Sequence, residues 1–392
     1  MSNILHICAD FAGSEVYSHL LRTLSRRGAD NHTMYVPMYA DIPVGRHAND
    51  RADIDSGTAR VIYSKDHWYY DRLLRRRKNR RIAEGVQRTV DMRAIDFIHA
   101  HYLFSGGGAA IRLQRRFGTP YVVAVRNTDA NYFLKYAVHL RALGVEIMLR
   151  ADRVVFISPC HQRTVLAEYI PARHREVITQ KSCAIPNGVD AFWLDAAIPS
   201  TRNPSCTLHL LFVGEFRTHK NVGLCIRAVS VLRRNGHDAR LVLIGDGPEM
   251  PSLRRLATPL GQGVVEFAGW IHAKEELRRR YEAADIFVMP SLKETFGVVY
   301  VEALSCGLPI VYGRGQGIDG YFEDGIVGYG CDPRNAEHLA ECIVRIRENY
   351  DVMSRNATAA AARFCWDRVA EEYEALYLSI NRDRDDTNQS VT

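Results

Sequence analysis

Two carboxylates eight residues apart, Glu294 and Glu302, lie in the stretch of this chain best suited to chemistry. The apolar run at 286–289 predicts a buried strand before them, and the pattern after Gly297 predicts the start of a helix. A strand, a short loop and a helix start present free backbone N–H groups to an anion. Glu302 would fall about one turn inside that helix. Carboxylates suit sugar and ribose hydroxyls and the helix end suits a diphosphate, so the segment predicts a site for a ligand that carries both.

Length and composition favour a two-domain globular protein. The 392 residues are too many for one ordinary core, and 47% are hydrophobic. We expect no membrane span, because no apolar run has the required length, and no signal peptide, because the first eight residues are typical of a strand. Nine scattered cysteines without a C-x-x-C pair predict a reduced, cytoplasmic protein.

Short apolar runs alternate with helical patterns along the whole chain. Because the runs are continuous, both faces of each strand are predicted to be buried, which is typical of parallel sheets covered by helices. The pattern predicts a doubly wound α/β architecture that occurs twice. The predicted strands span residues 4–8, 33–36, 61–63, 97–100, 121–125, 154–157, 208–213, 241–244, 264–267, 286–289 and 310–312.

The polar, proline-containing segment 198–205 predicts a linker. We therefore expect an N-terminal domain over 1–195 and a C-terminal domain over 205–365. An amphipathic stretch follows at 366–380, and a polar, frayed tail is predicted for 381–392.

The segment around Glu294 and Glu302 resembles the E-x7-E motif of retaining glycosyltransferases of the GT-B fold, family 4. Further blocks resemble that family in the same order, and the resemblance is strongest from about 183 to 345. These blocks are Ile185-Pro-Asn-Gly-Val-Asp190, Val213-Gly-Glu-Phe-Arg-Thr-His-Lys-Asn221, Ile244-Gly-Asp-Gly-Pro248, Phe267-Ala-Gly269 and Leu304-Ser-Cys-Gly-Leu-Pro309. The resemblance implies two Rossmann-like domains that face a central cleft, with the segment 366–380 crossing back to the first domain.

Loss of a nucleotide from a sugar leaves negative charge on the diphosphate, which enzymes neutralise with a metal or with fixed cations and backbone donors. A metal-binding Asp-x-Asp should follow an apolar strand, whereas Asp53-Ile-Asp55 follows polar residues and is better interpreted as a loop. No His/Cys group has metal-ligand spacing. We therefore predict a site without metal or other cofactor.

The resemblance implies roles for the residues of the second domain. Lys220 matches a family lysine beside the diphosphate, although a solvated helix-start lysine is the alternative. Glu215 stands where the family has an arginine, so Arg217 is predicted either to replace it or to be an ordinary exposed arginine. Glu294 would contact the transferred sugar and Glu302 the ribose, the alternatives being a helix-start acid and a surface i,i+4 pair. The predicted donor-binding set is Gly13, Arg217, Lys220, Glu294, Thr295, Phe296, Gly297, Val298 and Glu302.

In the first domain, His99 and His101 fall on the same side of a predicted strand. By resemblance, His101 lies close to the anomeric carbon and acts in catalysis with Glu294 and Lys220, whereas His99 is interpreted as structural. Arg126, Asn127 and Asp129 follow the next strand, at the end where such sheets bind ligands, and are predicted to contact the acceptor. A helix N-cap formed by Thr128 or Asp129 is the alternative.

A run of seven basic residues lies within 71–81. It predicts contact with an anionic membrane surface or acceptor, or else a solvated helix face. Nucleic acid is disfavoured, because the neighbouring aromatic residues precede the run instead of interleaving with it. The run consists of Arg72, Arg75, Arg76, Arg77, Lys78, Arg80 and Arg81.

The leading hypothesis is a retaining, hexosyltransferase-type enzyme. It would move a sugar from a UDP- or GDP-sugar to a hydroxyl of a glycan or lipid-linked glycan, in the cytoplasm or at the inner face of the membrane. A non-catalytic nucleotide-sugar-binding partner in a polysaccharide assembly complex is the second hypothesis, favoured by Glu215. A hydride-transfer enzyme is the third, but Gly245-x-Gly247 lacks the third glycine of a dinucleotide motif.

Overall fold

The computed structural model describes residues 1–41, 58–72, 74–194 and 207–389. Asp53, Asp55 and the predicted linker 198–205 lie outside these residues. The chain divides into two compact units. Unit 1 comprises Met1–Ile157, Gln162–Gly188 and Trp366–Thr392, and unit 2 comprises Ser158–His161 and Val189–Cys365.

Thirteen strands form in the described residues, all paired in parallel. They form a seven-stranded sheet in the order β3-β2-β1-β4-β5-β6-β7 and a six-stranded sheet in the order β10-β9-β8-β11-β12-β13. Each order reverses beside its first strand, where doubly wound sheets bind ligands. The strands are β1 Asn3–Ile7, β2 Asn31–Tyr39, β3 Ala59–His67, β4 Phe97–Ala100, β5 Tyr121–Val125, β6 Arg153–Phe156, β7 Ser182–Ala184, β8 Thr207–Val213, β9 Asp238–Ile244, β10 Val265–Gly269, β11 Ile286–Met289, β12 Ile310–Gly313 and β13 Gly328–Cys331.

The strands alternate with helices, as the sequence periodicity predicts. The helices are α1 Glu15–Arg27, α2 Arg75–Thr89, α3 Gly106–Phe117, α4 Arg141–Arg150, α5 Pro159–Tyr169, α6 Ala172–Gln180, α7 Ala191–Leu194, α8 Val222–Arg234, α9 Met250–Ala257, α10 Lys274–Glu282, α11 Val298–Ser305, α12 Ala336–Glu348, α13 Tyr350–Ala361 and α14 Trp366–Gln389. Helix α14 belongs to unit 1, where Arg27 of α1 pairs with Glu374 at 2.9 Å.

The core of unit 1 lies on both faces of its sheet. Leu5 and Ile7 belong to one buried cluster, whereas Ile4 belongs to another that includes Tyr373 and Tyr377 of α14. Successive side chains of a strand point to opposite faces, so a strand buried on both sides must be apolar throughout. This requirement explains the continuous apolar runs.

Two boundaries differ from the sequence prediction. The units divide between Gly188 and Val189 instead of near 195, because α7 packs within unit 2. Trp193 contacts the Tyr281 ring at 5.5 Å, and Asp190 pairs with Lys274.

The predicted tail at 381–392 was wrong over most of its length, since α14 continues to Gln389. Polarity alone does not end a helix, and α14 contains no glycine or proline. None of the helices in the described part of the chain is long and apolar enough to cross a membrane.

In the turn after β9, Gly245 lies where two loops of unit 2 pack closely. Gly245 has φ of 141°, and a Cβ there would lie 2.0 Å from the carbonyl oxygen of Gly214. We predict that Gly245→Ala destabilises unit 2 by more than about 1 kcal/mol, because both the backbone conformation and the space exclude a side chain. Gly223→Ala, inside α8, is the control and should be neutral or stabilising. Urea unfolding checks this, and equal midpoints for both variants would contradict it.

Candidate active site

The carboxyl ends of two neighbouring strands of unit 2, β8 and β11, are joined by their following loops. The side-chain amide of Asn221 donates to the carbonyl oxygens of Pro290 and Pro333, at 3.0 and 2.7 Å. The backbone N–H of Leu292 donates to the carbonyl oxygen of His219 at 2.8 Å. Among the described residues, Asn221 is the one non-glycine with positive φ, at 59°. These bonds stabilise that conformation and fix the loop that carries Lys220.

Lys220 and Glu294 meet across this junction. The Lys220 ammonium lies 2.5 Å from Oε2 of Glu294, and only 20% and 11% of the two side chains are exposed. The other carboxylate oxygen accepts the N–H of Thr295 at 3.0 Å. The structure therefore brings together two residues that sequence analysis predicted to act together, and Glu294 lies before α11, not at its start.

The residues after Glu294 lead directly into α11. Thr295 and Phe296 are buried, and the Phe296 ring packs against Phe364 at 5.5 Å. Gly297 has φ of 81° and precedes the helix without a side-chain cap, and Val298 is the first helical residue. A helix start without a side-chain cap offers backbone N–H groups and a positive dipole end to an anion.

Glu302 lies one turn inside α11, as predicted. Its Oε2 accepts the hydroxyl of Tyr281 at 3.1 Å. Burial raises the pKa of Glu302 to about 7, while the Tyr281 hydrogen bond and the charge of Lys274 act in the opposite direction. The alternative of a surface i,i+4 pair was wrong, because the partner of Glu302 is a buried tyrosine from α10.

Arg217 does not present an unpaired charge in this structure. Its Nε lies 2.6 Å from Oε1 of Glu215, and about half of each side chain is exposed. The residue predicted to replace the missing family arginine is thus paired with the residue that displaced it. A two-residue spacing lets the opposite charges meet, and the part of Arg217 in donor binding stays a prediction.

Unit 1 contains a cavity of about 450 Å³ at the carboxyl edge of its sheet. Gly13 is exposed and lies in its wall, with Arg75 and Lys78 of α2. Both cationic side chains are buried, with 9% and 6% of each residue exposed. The remaining lining residues are Ala9, Asp10, Ala12, Val36, Pro37, Met38, Tyr39, His67, Tyr102, Ser105, Thr128, Asp129 and Phe133.

The two cations of this cavity contact aromatic rings. The Arg75 guanidinium lies 4.3 Å from the Phe133 ring centre, and the Lys78 ammonium lies 5.1 Å from that of Tyr39. Within the described ranges neither forms a salt bridge, and Nε of Arg75 has no hydrogen-bond partner. Burial lowers the pKa of Lys78 to about 8.

The carboxylates in the cavity wall are occupied by neutral donors. Asp10 accepts the Tyr102 hydroxyl at 2.9 Å. Asp129 accepts the backbone N–H groups of Leu103, Phe104 and Arg126, at 3.0, 3.3 and 3.0 Å. Both acids are thus bonded to donors other than Arg75 and Lys78.

The members of the basic run differ in burial, so neither an anionic-surface contact nor a solvated helix face applies to all of them. Arg75 and Lys78 face inward, and Arg77 and Arg81 bind the buried Asp71 at 3.3 and 2.8 Å. A basic helix packed on a domain must bury one face, and here that face includes charged side chains. Arg76 is exposed, as is Arg80, which pairs with Glu84 at 3.7 Å, and the side chain of Arg72 lies outside the described part of the chain.

The three residues predicted to contact the acceptor also differ in burial. Arg126 is buried, and its guanidinium donates to Tyr373 and Asn187 at 3.3 and 3.4 Å. Asn127 is exposed. Asp129 is buried, and its carboxylate binds backbone N–H groups of two loops. The side chain of Thr128 forms no helix-capping hydrogen bond. Arg126 and Asp129 therefore form their hydrogen bonds within unit 1. Asp129 also lines the cavity, whereas Arg126 does not.

His101 is fully buried and belongs to a cluster that sequence spacing did not reveal. Its Nε2 lies 3.0 Å from Nδ1 of His6, and its ring stacks on His99 at 4.0 Å. Burial lowers the pKa of His101 well below the usual value, and the neighbouring His99 and His6 lower it further. His6 lies on β1, and only the parallel pairing of β1 with β4 brings it beside His99.

Comparisons with known proteins agree with this architecture. Residues 197–363 match the family described as Glycosyl transferases group 1, and residues 12–180 match the Glycosyl transferase 4-like domain. The chain belongs to the family 4 glycosyltransferases of the GT-B fold and is a glycosyltransferase. This result confirms the predicted family, the GT-B fold class and the prediction of a glycosyltransferase.

Individual relatives are distant. The chain is 29% identical over 316 residues to a D-inositol 3-phosphate glycosyltransferase of Nocardiopsis dassonvillei, covering 74% of this chain and 71% of that protein. Sucrose-phosphate synthase from Thermosynechococcus elongatus has the same fold, with a TM-score of 0.69, 18% identity and coverage of 98% and 100%. Anabaena HepE in complex with UDP-glucose matches with a TM-score of 0.65, 17% identity and coverage of 97% and 100%.

The environment of Glu302 makes its titration measurable. Because the Tyr281 hydrogen bond favours the carboxylate, Tyr281→Phe should raise the pKa of Glu302 by about 1. Carbon NMR of ¹³C-glutamate-labelled protein, with Glu302→Gln to assign the signal, checks this. A wild-type pKa near 4.5, or no change in the variant, would contradict the described environment.

Proposed function

We propose that this glycosyltransferase transfers a hexosyl group with retention from a UDP- or GDP-sugar to a hydroxyl of an acceptor that carries an anionic group. The pairing of Lys220 with Glu294 beside the start of α11 carries the proposal. A cation and uncapped N–H groups suit a diphosphate, and a carboxylate next to them suits sugar hydroxyls.

In this proposal the donor lies along the carboxyl edge of unit 2. The diphosphate takes Glu294's place as partner of Lys220 and accepts the N–H groups of Gly297 and Val298. Glu294 then accepts hydroxyls of the transferred sugar, and Glu302 binds the ribose. The UDP-glucose complex of HepE, which has the same fold, supports a nucleotide-sugar donor.

Departure of the nucleotide concentrates negative charge on its terminal phosphate. Lys220 and the helix start are already fixed at this position, so they can stabilise that charge with little reorganisation. We propose that this arrangement requires no metal ion or other cofactor. With retention of configuration on one face of the sugar, the leaving phosphate oxygen takes the proton of the attacking hydroxyl. The part of His101 at the anomeric carbon stays a prediction, since its ring is fully buried within unit 1.

The cavity of unit 1 supports an anionic acceptor. Arg75 and Lys78 are buried cations that form no salt bridge among the described residues, although the charges of Asp129 and Asp71 act on them. An anion between them would compensate the cost of their burial. Relatives named D-inositol 3-phosphate glycosyltransferase agree with a phosphate-bearing acceptor.

A sugar phosphate and a phosphate-linked lipid glycan share this chemistry. The lipid would require a membrane surface, and that part of the hypothesis stays a prediction. Of the basic run, Arg76 and Arg80 are the members that the structure describes as exposed.

The donor assignment predicts a large loss of turnover. Lys220→Ala and Glu294→Gln should each lower kcat by about 100-fold or more, as removal of one preorganised charge-stabilising group does elsewhere. The measurement is transfer from radiolabelled UDP- and GDP-sugars, in the presence and absence of EDTA, with thermal unfolding to show that each variant is folded.

Arg280→Ala is the matched control, because Arg280 pairs with Glu266 on the surface of unit 2 at 2.9 Å. It should leave kcat unchanged, as should EDTA. Wild-type rates in the folded Lys220 or Glu294 variants would remove their proposed roles. Tight nucleotide binding without transfer to any acceptor would favour the non-catalytic alternative.

The acceptor assignment predicts a selective effect on acceptor KM. Lys78→Met should raise the KM for a phosphate-bearing acceptor by about 10-fold or more, because it removes a charge-assisted hydrogen bond, and should leave the donor KM unchanged. Binding requires the protonated ammonium, so wild-type affinity for that acceptor should fall as the pH rises through about 8.

Arg76→Met is the control with the water-soluble inositol phosphate, since Arg76 is an exposed neighbour on the same helix. The panel pairs an inositol phosphate with inositol, and a phosphate-linked lipid glycan with its free glycan, which separates the two sources of phosphate. Equal activity with phosphorylated and phosphate-free acceptors would contradict the proposal.

A further inference from the structure

Three histidines form a hydrogen-bonded file through the core of unit 1. Nδ1 of His32, on β2, lies 3.0 Å from Nε2 of His6, on β1. Nδ1 of His6 lies 3.0 Å from Nε2 of His101, just after β4. All three residues are at most 3% exposed. The file therefore links His101 to a residue two strands away.

Each ring in this file is neutral near pH 7. Burial is the main cause of this. It lowers the pKa of His6 and the pKa of His101 far below the usual value, and it lowers the pKa of His32 to about 4. A neutral imidazole has one N–H donor and one acceptor nitrogen. Every ring must therefore donate in the same direction along the file, which leaves two arrangements.

The two arrangements differ at the end of the file. Nδ1 of His101 is buried and has no hydrogen-bond partner in the part of the chain that the structure describes. In one arrangement it is an N–H, and in the other it is a lone pair. Unpaired buried N–H groups are rarer than under-satisfied acceptors, so the lone-pair arrangement is favoured.

The favoured arrangement fixes every proton in the file. His101 donates from Nε2 to His6, His6 donates from Nε2 to His32, and His32 carries its proton on Nε2.

We propose that His6 and His32 are positioning residues that fix the tautomer of His101 with an unprotonated Nδ1. The catalytic use of that lone pair, to stabilise positive charge at the anomeric carbon, rests on the proposed function, whereas the tautomer does not. His99 stacks on His101 but lies outside the file, because its Nδ1 bonds to the hydroxyl of Tyr377 at 2.8 Å.

A metal ion bound to the same histidines is the alternative to the hydrogen-bonded file. Ligand atoms of His6, His99 and His101 lie within 4.8 Å of one another. Both ring nitrogens of His6 are used in the file, so coordination through either one would break a hydrogen bond of the file. Metal occupancy and the hydrogen-bonded file are thus mutually exclusive.

The test is long-range ¹H–¹⁵N NMR of the full-length, ¹⁵N-histidine-labelled protein near pH 7.5, with single histidine variants for assignment and metal analysis of the same sample. We expect Nε2–H tautomers for His32, His6 and His101. His6→Leu removes the acceptor of His101 and should give mixed tautomers there, with kcat reduced about 10- to 100-fold and the donor KM unchanged. His6→Asn keeps an acceptor near the position of Nδ1 and should restore both the tautomer and most of kcat.

A protonated Nδ1 on His101, an unchanged His101 spectrum in His6→Leu, or stoichiometric bound metal would each overturn the proposal. If His6→Leu fails to fold, the wild-type and His6→Asn spectra still show which nitrogen of His101 carries the proton. Because the spectra need no substrate, failure of the proposed glycosyl transfer would appear separately, as absent turnover in wild-type protein with the tautomers as expected.

Discussion

A charge withdrawn from water is stable in a protein only when another group replaces the lost hydration. The ammonium of Lys220 and the carboxylate of Glu294 meet this requirement by binding each other. Their contact depends on loops that follow neighbouring parallel strands and on Asn221, which ties one loop to the other. In our proposal a nucleotide diphosphate exchanges with Glu294 at Lys220, so the pair keeps both groups in place until the donor arrives.

In unit 1, aromatic rings instead of carboxylates contact the buried cations. Arg75 and Lys78 are buried against aromatic rings, and the carboxylates of their cavity are bonded to backbone N–H groups or a hydroxyl. A cavity whose cations form no salt bridge with the described residues favours an anionic ligand. The site of unit 2, where a cation and a carboxylate bind each other, favours a ligand with both phosphate and hydroxyl groups. The histidine file avoids charge altogether, since burial keeps its rings neutral.

Much of the fold and part of the site could be predicted from the sequence. Continuous apolar runs are required by burial on both faces of a sheet, and they located eleven of the thirteen strands found among the described residues. β7 and β13 were missed because Ser182–Ala184 and Gly328–Cys331 are short and carry few apolar residues. The spacing of Glu294 and Glu302 placed both correctly relative to α11, because local periodicity fixes position along a helix.

Sequence reasoning failed where a side chain's partner comes from a distant element. Arg75 and Lys78 resemble their exposed neighbours in the sequence, and only the packing of α2 on its domain separates them. Likewise, strand register brings His6 to His101, and α10 brings Tyr281 to Glu302. Asn221 was part of a recognised block, but its left-handed conformation and its bridging bonds depend on tertiary structure.

The most direct test of the central claim is a crystal structure of the full chain with UDP or GDP. The account predicts phosphate oxygens within about 3 Å of Lys220 Nζ and of the first N–H groups of α11. It also predicts that Glu294 is released from Lys220. A diphosphate bound elsewhere, with the Lys220–Glu294 pair intact, would contradict it.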